Sequence, residues 1–168
     1  MDDAPRVAVV GAGAWGTTLA AIVAGREPAL IVTHRPDVAD EINETHRNER
    51  RLPGIDLPEA LTATADPTRL AEAHDLVIFA APSSHLRAVV EESAPYVPPD
   101  ADVLSVVKGL ERGSLLRMSE VIADAGGIDA ARIAALSGPN LASEIAQGLP
   151  ASAVVAAQTP QPPPTFRS

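Results

Sequence analysis

The chain has 168 residues and a formal net charge of -9, with apolar residues at 46% and charged residues at 21%. That length suits one domain with a full hydrophobic core plus a short tail, and an aromatic share of 2% leaves Ala, Val, Leu and Ile to fill the core. An acidic balance without a run of Lys or Arg argues against a nucleic-acid partner, the lack of cysteine excludes disulfides and thiolate metal ligands, and no apolar run is long enough to span a bilayer.

The segment from Met1 to Pro5 holds two aspartates and no apolar stretch, so it does not read as a signal peptide, and a cytoplasmic protein is expected. Further along, apolar runs of strand length alternate with segments of helical period, which predicts an α/β fold with a Rossmann-like, doubly wound, mostly parallel sheet. The first strand is predicted at Arg6 to Val10, and a helix follows whose face carries Trp15, Leu19, Ile22 and Val23. A second strand spans Ala29 to Thr33, and a helix begins at Pro36, where proline suits the first turn, and runs to about Thr45 with Val38 and Ile42 toward the sheet.

After a loop containing Pro53, Gly54 and Pro58, a short strand is predicted near Leu61 to Ala65, and Asp66 before Pro67 reads as a helix N-cap. The continuous run Leu76 to Ala81 suits a strand buried on both faces. A helix through Leu86, Val89 and Val90, a strand at Val103 to Val107, and a helix from Ser114 to Ala125 ended by Gly126 and Gly127 come next. Arg132 to Leu136 forms a further strand, Leu141, Ala142 and Ile145 mark a short helix, and Ala151 to Ala157 forms the last strand. A domain over residues 1–157 results, followed by a tail over residues 158–168 whose four prolines suit extended, disordered chain.

Gly11, Gly13 and Gly16 form GxGxxG between the first strand and the first helix. In a dinucleotide site the first glycine permits the tight turn, the second admits a pyrophosphate, and the third allows close helix-to-strand packing, while the helix N-terminus attracts the phosphates. The other reading of these glycines is a plain structural βα turn. At the end of the second strand, where an acid would select the ribose of NAD, stand Thr33, His34 and Arg35. No acid occupies that corner, and Arg35 is placed to meet a 2'-phosphate, so NADP(H) is favoured and NAD(H) also admitted. The bland alternative is a solvated arginine opening a helix.

Lys108, the only lysine in the chain, follows the strand at Val103 to Val107, at the carboxyl end of the sheet where ligands bind in open α/β folds. It reads either as a ligand-binding ammonium or as a surface lysine. Ser137, Gly138, Pro139 and Asn140 also link a strand to a helix, and serve either a phosphate or hydroxyl ligand or a helix cap. His74 and His85 stand without metal-ligand spacing, so no metal site is expected, and Glu91, Glu92 and Glu111 read as solvated.

Taken together, GAGAWGTTLA from Gly11 to Ala20, His34 with Arg35, LPG from Leu52 to Gly54, KGLE from Lys108 to Glu111 and SGPNLASEIA from Ser137 to Ala146 resemble the bacterial NAD(P)-dependent glycerol-3-phosphate dehydrogenases. The resemblance implies interconversion of sn-glycerol 3-phosphate and dihydroxyacetone phosphate by hydride transfer, for glycerophospholipid synthesis. It assigns Ala14, Trp15, His34, Arg35, Arg51, Lys108 and Ala142, with the three glycines, to the cofactor, and Lys108, Gly138 and Asn140 to the small-molecule substrate. Bacterial members often carry Ser or Thr where Asn140 stands, and commonly Ser at the place of Ala14.

It also implies a helical C-terminal domain, expected to be absent from this chain, which carries the proton-accepting lysine and an Arg-Asn pair for the substrate phosphate. No catalytic residue is therefore assigned within residues 1–168. A homodimer is one option for full-length members. Rival readings are the cofactor domain of a ketopantoate reductase or sugar-nucleotide dehydrogenase, a noncatalytic dinucleotide-binding module, and a flavoprotein.

Overall fold

The computed structural model describes residues 5–73 and 75–158. His74 and all of the proline-rich tail except Gln158 lie outside the described residues. Seven strands make one sheet: β1 (Val7–Val10), β2 (Ala29–Val32), β3 (Leu61–Thr64), β4 (Leu76–Phe79), β5 (Asp102–Ser105), β6 (Ile133–Ser137) and β7 (Val154–Ala157). Their spatial order is β3-β2-β1-β4-β5-β6-β7. All neighbours are parallel except β6 and β7. The helices are α1 (Ala14–Ala24), α2 (Pro36–Thr45), α3 (Leu86–Ser93), α4 (Met118–Gly126) and α5 (Ala142–Ala146), with a 3-10 turn at Pro67–Glu72.

Because strand side chains alternate between faces, the central strands feed two separate cores. Val7, Val9, Ile31 and Ile78 meet α1 and α2 on one face, where Val38, Ala39 and Ile42 of α2 are buried. Ala8, Val10, Leu30, Val32, Val77 and Phe79 meet α3 and α4 on the other, against Leu86, Val90, Met118, Val121 and Ile122. The runs in β1, β2 and β4 are apolar throughout because both faces are covered. Asp66 caps the 3-10 turn as expected, its carboxylate accepting from the Thr68 N–H at 2.9 Å.

Two expectations are corrected. The buried residues of α1 are Gly16, Thr17, Thr18, Ala20 and Ala24, and Trp15, Leu19 and Val23 pack partly buried against the same core, whereas Ile22 is 48% exposed. At the start of the helix a Cβ built on Gly16 would lie 2.1 Å from the Gly11 carbonyl oxygen of the turn after β1 and 3.1 Å from the Ala80 Cβ, so no side chain fits there. The helix predicted from Ser114 begins instead at Met118. Ser114 donates to the Glu111 carboxylate at 2.5 Å, and Glu120 accepts the Arg117 N–H at 2.8 Å, so the cap role falls to a later turn. The glycine stop holds, with Gly127 in the left-handed region at φ 61°.

The last strand is shorter than expected, and Val154 (69% exposed) and Val155 (42%) lie on its open edge. Among the described residues no helix is long and apolar enough to cross a membrane.

Replacing Gly16 with alanine should force the glycine turn and α1 apart. A loss of about 1–3 kcal/mol in urea unfolding followed by circular dichroism is expected. An unchanged midpoint would show that α1 does not need this approach.

Candidate cofactor and substrate site

The order β3-β2-β1-β4 reverses the chain's direction of travel between β1 and β4, and such a switch point opens a crevice at the carboxyl ends of the strands. Gly11 closes the turn after β1. It has φ 120°, donates to the Val32 carbonyl at 2.8 Å, and has no space for a side chain, since a Cβ would lie 2.9 Å from the Ala80 backbone. At Gly13 a Cβ would meet nothing within 4 Å. The first turn of α1 has no side-chain cap, which leaves its N–H groups and the positive end of its dipole facing the crevice. Ala14 and Trp15 occupy that turn, half-buried.

Beside it lies a cavity of about 340 Å³ lined by Trp15, Ala80, Ala81, Pro82, Ser83, Val106, Val107, Lys108, Leu136 and Asn140. The ends of β4, β5 and β6 thus surround the side chain that follows the glycine turn. Lys108 is exposed and donates from Nζ to the Gly138 carbonyl at 2.8 Å, so the turns after β5 and β6 are joined. Asn140 Oδ1 is buried without a partner among the described residues. Ala142 enters through its carbonyl, which accepts from Thr18 Oγ1 at 3.3 Å and ties the start of α5 to α1. Trp15, Lys108, Gly138 and Asn140 therefore converge.

His34, Arg35 and Arg51 do not line this cavity. His34 and Arg51 are exposed, and Arg35 follows β2. Its guanidinium grips Asp37 with two hydrogen bonds, Nε to Oδ1 at 2.8 Å and the second nitrogen to Oδ2. That bond holds the Asp37 carboxyl below its ordinary range and raises Arg35. The corner expected to lack an acid contains one, because α2 begins at Pro36 and turns Asp37 back beside Arg35.

Glu111 is a second correction. Rather than solvated, its side chain is 19% exposed and accepts two hydrogen bonds from Arg87 of α3, at 2.8 and 2.9 Å. Arg87 also reaches Asp124 of α4 at 2.8 Å. The Glu111 N–H donates to the Leu116 carbonyl at 2.9 Å, closing a small hairpin across Leu110 and Arg117. The loop that presents Lys108 is thus fastened to two helices by one guanidinium. The sequence carries no local signal for this, nor for the bonds of Thr18 to Ala142 and of Asn48 to Ala12, 124 and 36 residues away.

Residues 6–162 match the family model described as NAD-dependent glycerol-3-phosphate dehydrogenase N-terminus. The chain belongs to that family. It is 42% identical over 154 residues to the glycerol-3-phosphate dehydrogenase (NAD(P)+) of Corynebacterium urealyticum, covering 91% of this chain and 46% of that protein. The enzyme of Corynebacterium aurimucosum is 47% identical over 151 residues, covering 89% and 46%. The chain therefore spans about half the length of the curated relatives it matches.

Among solved structures, the glycerol-3-phosphate dehydrogenase of Coxiella burnetii superposes with a TM-score of 0.82 at 30% identity, over 94% of this chain and 48% of that one. A ketopantoate reductase from Ralstonia eutropha matches less well, with a TM-score of 0.62 at 23% identity over 79% and 41%, a likeness of fold alone. This glycerol-3-phosphate dehydrogenase family member thus shares that structure's sheet, and Trp15, Lys108 and Asn140 line one cavity at its carboxyl edge.

Hydrogen bonds from Arg87 and then Ser114 hold the Glu111 carboxyl at about 2, below its ordinary 4.5. A depressed carboxyl stabilises the fold fully above its unfolded pKa, and that contribution fades as pH falls toward 2. The melting-temperature gap between the native chain and Glu111→Gln should accordingly be widest near neutral pH and shrink between about pH 4.5 and 2. A gap independent of pH would mean that the ion pair does not form.

Proposed function

We propose that this chain binds a nicotinamide dinucleotide across its glycine turn and serves the interconversion of sn-glycerol 3-phosphate and dihydroxyacetone phosphate, a step that supplies the glycerophospholipid backbone. The observation that carries the reading is the convergence of Trp15, Lys108 and Asn140 on one cavity beside an uncapped helix N-terminus. The curated relatives' names point the same way. The residues present fit the cofactor: Gly13 leaves open space where a pyrophosphate would approach, and the free N–H groups of α1 suit its charge. When bound, the nicotinamide donates or accepts the hydride.

Within residues 1–157, Gly11, Gly13, Ala14, Trp15, Gly16, His34, Arg35, Arg51, Lys108 and Ala142 contact the cofactor. Lys108, Gly138 and Asn140 contact the substrate. An ammonium has three donors, and the Lys108 bond to Gly138 uses one, leaving two for a ligand oxygen. The unpartnered Asn140 Oδ1 accepts from a substrate hydroxyl. Pro82, Ala81 and Val107 supply an apolar part of the cavity wall. The acidic charge and absent cysteine suit a cytoplasmic enzyme of small molecules with no nucleic-acid partner.

For the adenosine end, Arg35 selects the 2'-phosphate of NADP(H), and Asp37 tempers that preference by holding the same guanidinium. A charge-assisted hydrogen bond is worth about 1.5–3 kcal/mol, so Arg35→Ala should weaken NADPH about tenfold or more and NADH much less, by isothermal titration. Asp37→Asn should tighten NADPH. Equal losses for both nucleotides in Arg35→Ala would remove the 2'-phosphate assignment. The broader reading is tested by melting the chain with each nucleotide: a saturable rise in Tm, larger for NADPH, is expected, and no shift with either would overturn it. With Lys108 as its single lysine, the 168-residue chain alone should show negligible turnover in a spectrophotometric NADPH assay with dihydroxyacetone phosphate. A rate typical of enzymes, on the order of 10 per second, would refute that.

A further inference from the structure

We infer that Asn48 is a positioning residue that aims the phosphate-facing N–H of the glycine turn, an inference that rests on the cofactor reading above. Asn48 lies in the loop after α2 and is fully buried. Its Nδ2 donates to the Ala12 carbonyl at 3.1 Å and to Thr17 Oγ1 at 2.9 Å, reaching 36 and 31 residues back along the chain. One amide thus grips the turn between its first two glycines and the second turn of α1.

The consequence follows from peptide geometry. In a trans peptide the C=O and N–H point in opposite directions, and no cis bond occurs among the described residues. Holding the Ala12 oxygen toward Asn48 therefore turns the Gly13 N–H the other way. The Gly11 N–H is already committed to the Val32 carbonyl, while the Gly13 N–H has no backbone partner among the described residues. Gly13 is also where an added Cβ would meet nothing within 4 Å. The free donor and the open space coincide at one residue, and Asn48 sets the plane that presents it.

A purely space-filling residue would not need this chemistry. Asn48 Oδ1 is buried without a partner among the described residues, a cost that an apolar side chain of similar size avoids. What the apolar residue lacks is the donor for Ala12. The main chain of Asn48 extends the same node, since its carbonyl accepts from the N–H groups of Arg51 at 3.1 Å and Leu52 at 2.7 Å. Asn48 thereby fixes the spacing between the glycine turn and the turn that bears Arg51.

The test compares two probes on the 168-residue chain: NADPH, which contains the pyrophosphate, and adenosine 2'-monophosphate, which does not. Asn48→Leu keeps the branching of the side chain and removes the donor. It is expected to weaken NADPH about tenfold or more, the effect of losing one charge-assisted hydrogen bond, and to change the monophosphate by less than about twofold. Equal weakening of both probes, or no weakening of NADPH, overturns the inference. Should the variant fail to melt cooperatively, the native chain decides by NMR: the Gly13 amide proton must move downfield with NADPH and stay in place with the monophosphate, and a Gly13 signal indifferent to NADPH overturns the inference. A native chain that binds neither NADPH nor NADH overturns the cofactor reading itself and this inference with it.

Discussion

The contact between Gly16 and the Gly11 carbonyl governs the rest of the molecule. With 2.1 Å available to a Cβ at Gly16, the first turn of α1 touches the turn after β1 with no side chain between them. That sets the height of α1 over the sheet, and hence where its N-terminal N–H groups emerge. Ala20 and Ala24 are buried further along the helix, and Trp15 and Leu19 pack half-buried against the same core. Trp15 also forms a wall of the crevice, and Thr18 reaches Ala142 in α5. A side chain at position 16 would disturb all of these at once.

Around that contact the crevice is built from turns, each fixed by a group distant in sequence. Asn48 holds the glycine turn, Arg87 holds the loop after β5 through Glu111, and Lys108 and Gly138 hold each other. The ion pair between Arg87 and Glu111 has firm geometry because the guanidinium is bidentate and also bound to Asp124, so α3, α4 and the Lys108 loop share one anchor. The pair of Arg35 with Asp37 is of another kind. It is solvent-exposed and local, and such pairs contribute little to stability.

Much of this was legible from residue order. The apolar runs at Leu30 to Val32 and Leu76 to Phe79 are buried on both faces and have the period of parallel strands, and the glycine turn lies between strand and helix as its chemistry requires. Lys108 follows β5 at the carboxyl edge of the sheet, as its place in the sequence predicts. The misreadings share a cause. Ile22 shares the period of Trp15, Leu19 and Val23, yet those three pack against the core and Ile22 stands at the edge of their face, 48% exposed. Ser114 is a good cap by local chemistry, yet Glu111 takes its hydroxyl. Asp37 and Asn48 resemble any polar residues near a helix end, and only the folded chain gives them their partners, one by a turn of backbone and the other across 36 residues. Period and punctuation report local shape, whereas long-range polar pairs leave no period to read.

The solitary lysine has a practical consequence. Because the chain contains twelve arginines and one lysine, and Lys108 is exposed at the mouth of the cavity, its ε-amine is a unique internal handle for acylating reagents, with the α-amine as the one competing primary amine. Guanidinium groups remain protonated and inert to such reagents. A fluorophore or crosslinker attached through amine chemistry would therefore report from the crevice itself, without any cysteine having to be introduced into a chain that has none.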